Sequence, residues 1–133
     1  MRQQLIILIL LVLVFFSCNK DLPNTNNIIG SWNWKTSYSS TGAQILSRDT
    51  TKVYSILFKP DNSFVNQTFC IVGGSTDGSY QLKNFNNNRF LILNVGNTSY
   101  DTLQLSIDGN KMTLNETYNG YSWYHYFNKK LIE

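Results

Sequence analysis

The residues able to do chemistry in this chain are few. It has one histidine, His125, and two cysteines, Cys18 and Cys70. Nucleophilic catalysis would need Cys70 or a serine beside His125, with an acid to orient the ring. Asp49, Asp77 and Asp101 are the acids open to that role, and no spacing singles one out. Zinc needs three or four N, S or O ligands, and one His with one Cys does not supply them. No metal site is therefore expected. Asp108-Gly109-Asn110 lacks the acidic ladder of a calcium loop and reads as a hairpin turn. Gly73-Gly74-Ser75-Thr76 has no lysine and no helix to follow, which excludes a phosphate loop. His125 lies in an aromatic strand and is expected to be structural or at the surface. Cys70, between Phe69 and Ile71, is expected to be a buried, inert thiol. The chain is thus read as a non-enzyme, with no catalytic residue and no cofactor.

Cys18 has a different setting. Residues 5–16 (LIILILLVLVFF) form an unbroken apolar run behind Met1-Arg2-Gln3-Gln4. Spanning a bilayer takes about twenty apolar residues, so this run is short for a membrane span and fits a secretory signal. Ser17 directly before Cys18 resembles the lipobox of bacterial lipoproteins, with Phe15 where Leu is usual. That resemblance implies cleavage before Cys18, a diacylglycerol on its thiol and acylation of its new amine. Two or more acyl chains anchor stably where one holds weakly. The implied partner is a membrane, held through the acyl chains on Cys18. The implied location is the bacterial cell envelope. Asn19-Lys20-Asp21 does not resemble an inner-membrane retention signal, which points to the outer membrane.

The expected organisation is a signal peptide at 1–17, a lipidated Cys and polar tether at 18–27, and one domain at 28–133. The tether (NKDLPNTNN after Cys18) reaches at most about 30 Å when extended, which keeps the domain near the membrane. Removal of residues 1–17 leaves 116 residues, enough for a single modest core. The formal net charge of +3 drops to +2 with the loss of Arg2. So small a surplus gives no argument for a nucleic-acid partner. With Cys18 lipidated, Cys70 has no partner for an intrachain disulfide.

From residue 28 onward the pattern is β. Strands are predicted over 28–36, 51–59, 63–72, 78–83, 89–95, 99–107, 111–118 and 121–129, with 37–47 read as a long polar connection. Leu103, Leu105 and Ile107 alternate strictly, as do Tyr54, Ile56 and Phe58. Asn119-Gly120 is the strongest turn signal, because both positions of a type I′ turn need positive φ. Short connections make antiparallel neighbours, and a meander of eight strands avoids exposed edges by closing. The predicted fold is all-β, an eight-stranded antiparallel up-and-down β-barrel. A two-sheet sandwich is the alternative, but it usually needs more long crossing connections.

Gly30-Ser31-Trp32 is a G-x-W at the start of the first of these strands. With the meander behind it, the chain resembles the lipocalin and calycin families, and is most similar to the compact lipocalin-like domains of bacterial lipoproteins over about residues 28–130. The resemblance implies that Trp32 packs across the closed end of the barrel. It also implies a late basic residue over the ring, Lys129 or Lys130, in a cation–π contact. The T-D-Y element of secreted lipocalins is reduced to Tyr100-Asp101, and no C-terminal helix is expected. With Trp32 at the closed end, the loops 37–49, 71–76, 96–98 and 119–120 should lie at the mouth. Those at 60–62, 84–88 and 108–110 should lie at the base.

In strand geometry Tyr121, Trp123, His125 and Phe127 share one face, and Tyr124 and Tyr126 the other. The candidate cavity is lined by Tyr54, Ile56, Phe58, Tyr121, Trp123 and His125, and is expected to take a small hydrophobic ligand at the open end. The alternative is a filled barrel. It would act as a structural or interaction protein, meeting an envelope protein or glycan through the outer face of Tyr124 and Tyr126.

Overall fold

The computed structural model describes residues 28–46, 51–68, 76–96, 99–118 and 120–131. The expectations for the signal peptide, Cys18, the tether, Asp49 and Cys70 lie outside the described residues. Nine strands follow one another: β1 (Gly30–Ser39), β2 (Gln44–Leu46), β3 (Ser55–Phe58), β4 (Ser63–Asn66), β5 (Thr76–Phe85), β6 (Asn88–Val95), β7 (Ser99–Asp108), β8 (Lys111–Tyr118) and β9 (Tyr121–Lys129). From β3 to β9 each strand pairs antiparallel with the next, and β1 pairs with both β3 and β9. β1 and β3–β9 thereby form a closed, eight-stranded up-and-down barrel, with β2 as an extra strand on β1.

Period-2 alternation sets the inside. Leu91 and Leu93 of β6, Leu103 and Leu105 of β7, and Met112 and Leu114 of β8 point inward and are buried. They join Trp32, Ile56, Phe58, Phe64, Tyr80 and Phe127 in one core. Burying each large apolar side chain is worth about 1.5–3 kcal/mol, so this filled core is what holds the barrel together. The Phe58 ring meets Tyr80 edge-on, with centroids 5.1 Å apart. The Tyr80 hydroxyl donates to the Lys59 carbonyl at 3.0 Å and pins the β3–β4 turn to β5. At Gly78 a Cβ would stand 2.0 Å from the Asn94 carbonyl oxygen and 3.0 Å from the Phe64 ring. Only glycine lets β6 and Phe64 approach β5 this closely.

The stretch 37–47 is not the long connection expected from its polarity. β1 runs on to Ser39, and β2 folds back on it with Thr36 opposite Leu46 and Tyr38 opposite Gln44. β1 also carries a β-bulge. Trp34 stands opposite Phe127 and Thr36 opposite Tyr126, so Lys35 is an extra residue without a partner. A bulge shifts the phase by one. Trp32 and Trp34 point inward before it, and Ser37 and Ser39 point inward after it. Polar residues thus occupy inward positions of a strand, which an alternation count does not anticipate.

The connections at 84–88 and 108–110 are tighter than expected. Phe85 pairs with Asn88, leaving Asn86 and Asn87 to turn with φ of 47° and 62°. Asn is among the few residues with a side chain that tolerates this region. Asp108 likewise pairs with Lys111. The strands predicted at 51–59 and 63–72 are shorter, at Ser55–Phe58 and Ser63–Asn66.

The closed end is built around Trp32. Its Nε1–H donates to the Ile28 carbonyl at 2.7 Å, and Lys129 Nζ lies 5.2 Å from the ring centroid. Of the two lysines considered, Lys129 covers the ring. Gly30 makes this possible. Its φ is +120°, and a Cβ there would sit 3.2 Å from Lys129 Cε.

Candidate functional site in the mouth half of the barrel

Above the apolar floor the interior becomes polar. His125 of β9 stands opposite Ser37 of β1, and Glu116 of β8 lies one diagonal step away, opposite Trp123. Ser37 Oγ is 2.7 Å from His125 Nδ1, and His125 Nε2 is 3.1 Å from Glu116 Oε1. The Trp34 indole N–H donates to Ser37 Oγ at 2.9 Å. One proton arrangement satisfies all these contacts. Trp34 donates to Ser37, Ser37 donates to an unprotonated Nδ1, and Nε2–H donates to the Glu116 carboxylate. His125 is thus held at both nitrogens.

Exposure sets the depth of the site. Ser37 is 0% and His125 2% exposed, whereas the Glu116 side chain is 25% exposed. Trp123 and Tyr54, also facing inward, are half-buried. Tyr54 meets the Trp34 ring edge-on at 6.2 Å. On the far wall Asn66 Oδ1 accepts from the Thr68 N–H at 3.0 Å and from the Thr68 hydroxyl at 2.7 Å, both residues being buried. Above the buried Ser37–His125 pair, the inward-facing Tyr54, Trp123 and Glu116 are therefore only partly buried. They mark a candidate cup with aromatic sides and a carboxylate in its wall.

The six residues singled out for the cavity divide by level. Tyr54 and Trp123 line the cup, and His125 closes it below. Ile56 and Phe58 are wholly buried in the floor, and Tyr121 stands at the rim, 52% exposed. Among the described residues the acid beside His125 is Glu116, not Asp77 or Asp101. Hairpin register would have found it, since a two-residue turn after Tyr118 places Glu116 opposite Trp123 and diagonal to His125. Ser37 carried no such signal, because the Lys35 bulge puts it on the inner face.

Serine, histidine and acid here stand in the order of a catalytic relay, with the serine at its buried end. Ser37 Oγ is sealed under the cup and already engaged by Trp34 and His125. The outer wall over this site has its own aromatic pair. Tyr38 and Tyr126 meet edge-on at 6.0 Å, and Gln44 Nε2 donates to the Tyr38 hydroxyl at 2.7 Å. Tyr124, expected on that face, is half-buried there. Near the base, burial holds the Arg89 guanidinium below its ordinary pKa. No protein-family model and no curated protein matches this chain.

Proposed function

We propose that this chain is a lipid-anchored protein of the bacterial cell envelope that binds a small amphipathic ligand in the mouth of its lipocalin-like barrel. The observation that carries the reading is the set of partly exposed, inward-facing side chains Tyr54, Trp123 and Glu116 above the buried Ser37–His125 pair. An apolar or aromatic ligand body would lie on Trp123 and Tyr54, and a donor or cationic group would reach Glu116. The protein acts by binding and not by catalysis. The sealed position of Ser37 supports this, because no substrate carbonyl reaches its hydroxyl.

Native mass spectrometry of the gently purified protein tests the cup. A co-purifying small mass, lost on extraction and absent from Glu116→Gln, is the expected result. A bare protein mass that persists after incubation with lipophilic amines and fatty acids would sink it. Attention would then move to the Tyr38–Tyr126 face as a contact for an envelope protein or glycan. Anchoring has a separate test. Cys18→Ala should leave an uncut precursor without acyl chains, and a mature, lipid-bearing Cys18→Ala protein would refute it.

A further inference from the structure

The charges of the described residues are sorted between the two ends of the barrel. The turns at 59–62, 86–87 and 109–110 meet at the closed end, where Lys129 N–H donates to the Asn110 carbonyl and Lys130 N–H to the Ser31 carbonyl. Lys59, Lys83, Lys111, Lys129 and Lys130 stand around this end, with Arg89 half-buried among them. Against them, among the described residues, are Asp61 and Asp108. The mouth half carries Asp77, Asp101 and Glu116 against Lys52, and Lys35 lies between on β1.

The basic end is also apolar. Phe85 and Leu131 are 66% and 67% exposed there. A groove of about 960 Å³ opens on the outside beside Leu131, lined also by Ile29, Leu57, Lys129 and Lys130. The chain enters at this same end, since the Ile28 carbonyl is bound to Trp32. The nine residues 19–27 place Cys18 within about 30 Å of the groove.

We propose that the closed end docks on an anionic lipid surface, with the mouth turned away from it. The proposal rests on the lipid-anchored reading of Cys18 and adds the face and the lipid charge. Lysines close to an anionic leaflet are attracted within a Debye length, while their stems and two exposed apolar side chains enter the interface. A barrel held this way keeps its cup open to the aqueous side.

The test uses the full chain, purified in detergent and reconstituted into vesicles that carry a headgroup-quencher lipid. One set is phosphatidylcholine, and the other contains phosphatidylglycerol as well. A fluorophore is attached at Asn110→Cys, at the base, or at Thr117→Cys, near the mouth, each in a Cys70→Ser background. Docking predicts that the base label is quenched about threefold more than the mouth label on anionic vesicles. The difference should vanish on neutral vesicles, in about 1 M salt, and in a Lys59→Glu/Lys130→Glu variant. Both of those lysines are exposed, so the variant keeps its core. Intact mass shows whether Cys18 in the same preparation carries acyl chains. An acylated protein with equal quenching at both labels, or with base quenching that survives charge reversal, overturns the docking. A base label that responds to an acidic polypeptide but not to vesicles overturns it as well. A protein without acyl chains on Cys18 overturns the anchoring reading, and the docking with it.

Discussion

Ser37 Oγ lies 2.7 Å from His125 Nδ1, although the two residues are 88 positions apart in the chain. The contact ties the first barrel strand to the last and closes the cup from below. Ser37→Ala would strip a partner from both Trp34 and His125 in a dry interior, and is expected to cost about 1–3 kcal/mol. His125→Ala should cost about 2–4 kcal/mol, because it adds a cavity to the lost bonds. In urea denaturation the two changes should couple by at least about 0.5 kcal/mol. Strict additivity would mean that the contact contributes nothing to stability.

The bulge at Lys35 gives a contrast between changing a side chain and removing a residue. Lys35 is exposed, so Lys35→Ala is expected to shift stability by no more than about 0.5 kcal/mol. Deleting Lys35 removes the extra residue itself, so Thr36 follows Trp34 in phase and Ser37 and Ser39 still face inward. The expected cost is that of the lost local bend alone, about 1–2 kcal/mol. A deletion variant that melts with the parent in a thermal scan would show that the bulge is dispensable.

At the closed end, Gly30→Ala meets two penalties, a φ of +120° and a Cβ 3.2 Å from Lys129 Cε. The expected cost is about 1–3 kcal/mol. Lys129→Ala alone should cost about 0.5–1 kcal/mol through loss of the cation–π contact with Trp32. In the Lys129→Ala background the steric part of the Gly30→Ala penalty should disappear and the backbone part remain. Equal Gly30→Ala penalties in both backgrounds, read by chemical denaturation, would contradict the close approach.

Tyr80 sets an alkaline limit. Burial, and then the negative charge of Asp61, hold its hydroxyl above the usual pKa of 10.0. The folded state therefore keeps this proton at a pH where the unfolded chain has released it. Its contribution is complete below about pH 10 and is lost as pH rises through the folded value. Tyr80→Phe should flatten the fall in stability above about pH 10. At neutral pH it should cost about 1 kcal/mol, through the lost bond to the Lys59 carbonyl. Denaturation midpoints measured from pH 7 to 11 check both, and an unchanged alkaline slope would remove the assignment.

Much of the barrel was legible because the information is local. Alternation in β6, β7 and β9 fixes which side chains face inward. Two-residue turns at Gly109-Asn110 and after Tyr118 fix register, and the count of short connections forces an up-and-down order. The placement of Trp32 at a closed end followed from G-x-W by resemblance. The geometry supplies its physical reason in the approach of Lys129 over Gly30. Glu116 beside His125 was within reach of the same hairpin arithmetic.

Ser37 was not, nor was β2. The inward turn of Ser37 depends on the Lys35 bulge, which nothing in a Lys between Trp34 and Thr36 announces, and β2 depends on its pairing with the far half of β1. The bulge lies within the pairing of β1 with β9, which spans both halves of β1, at the point where the other neighbour of β1 changes from β3 to β2. The gathering of five lysines at one end has the same origin. They come from four separate stretches of chain, and only closure of the barrel brings those stretches to one face. Alternation and turn chemistry are carried by neighbouring residues and can be read from order alone. Phase slips and charge sorting arise from pairings between distant strands, which exist only once the barrel has closed.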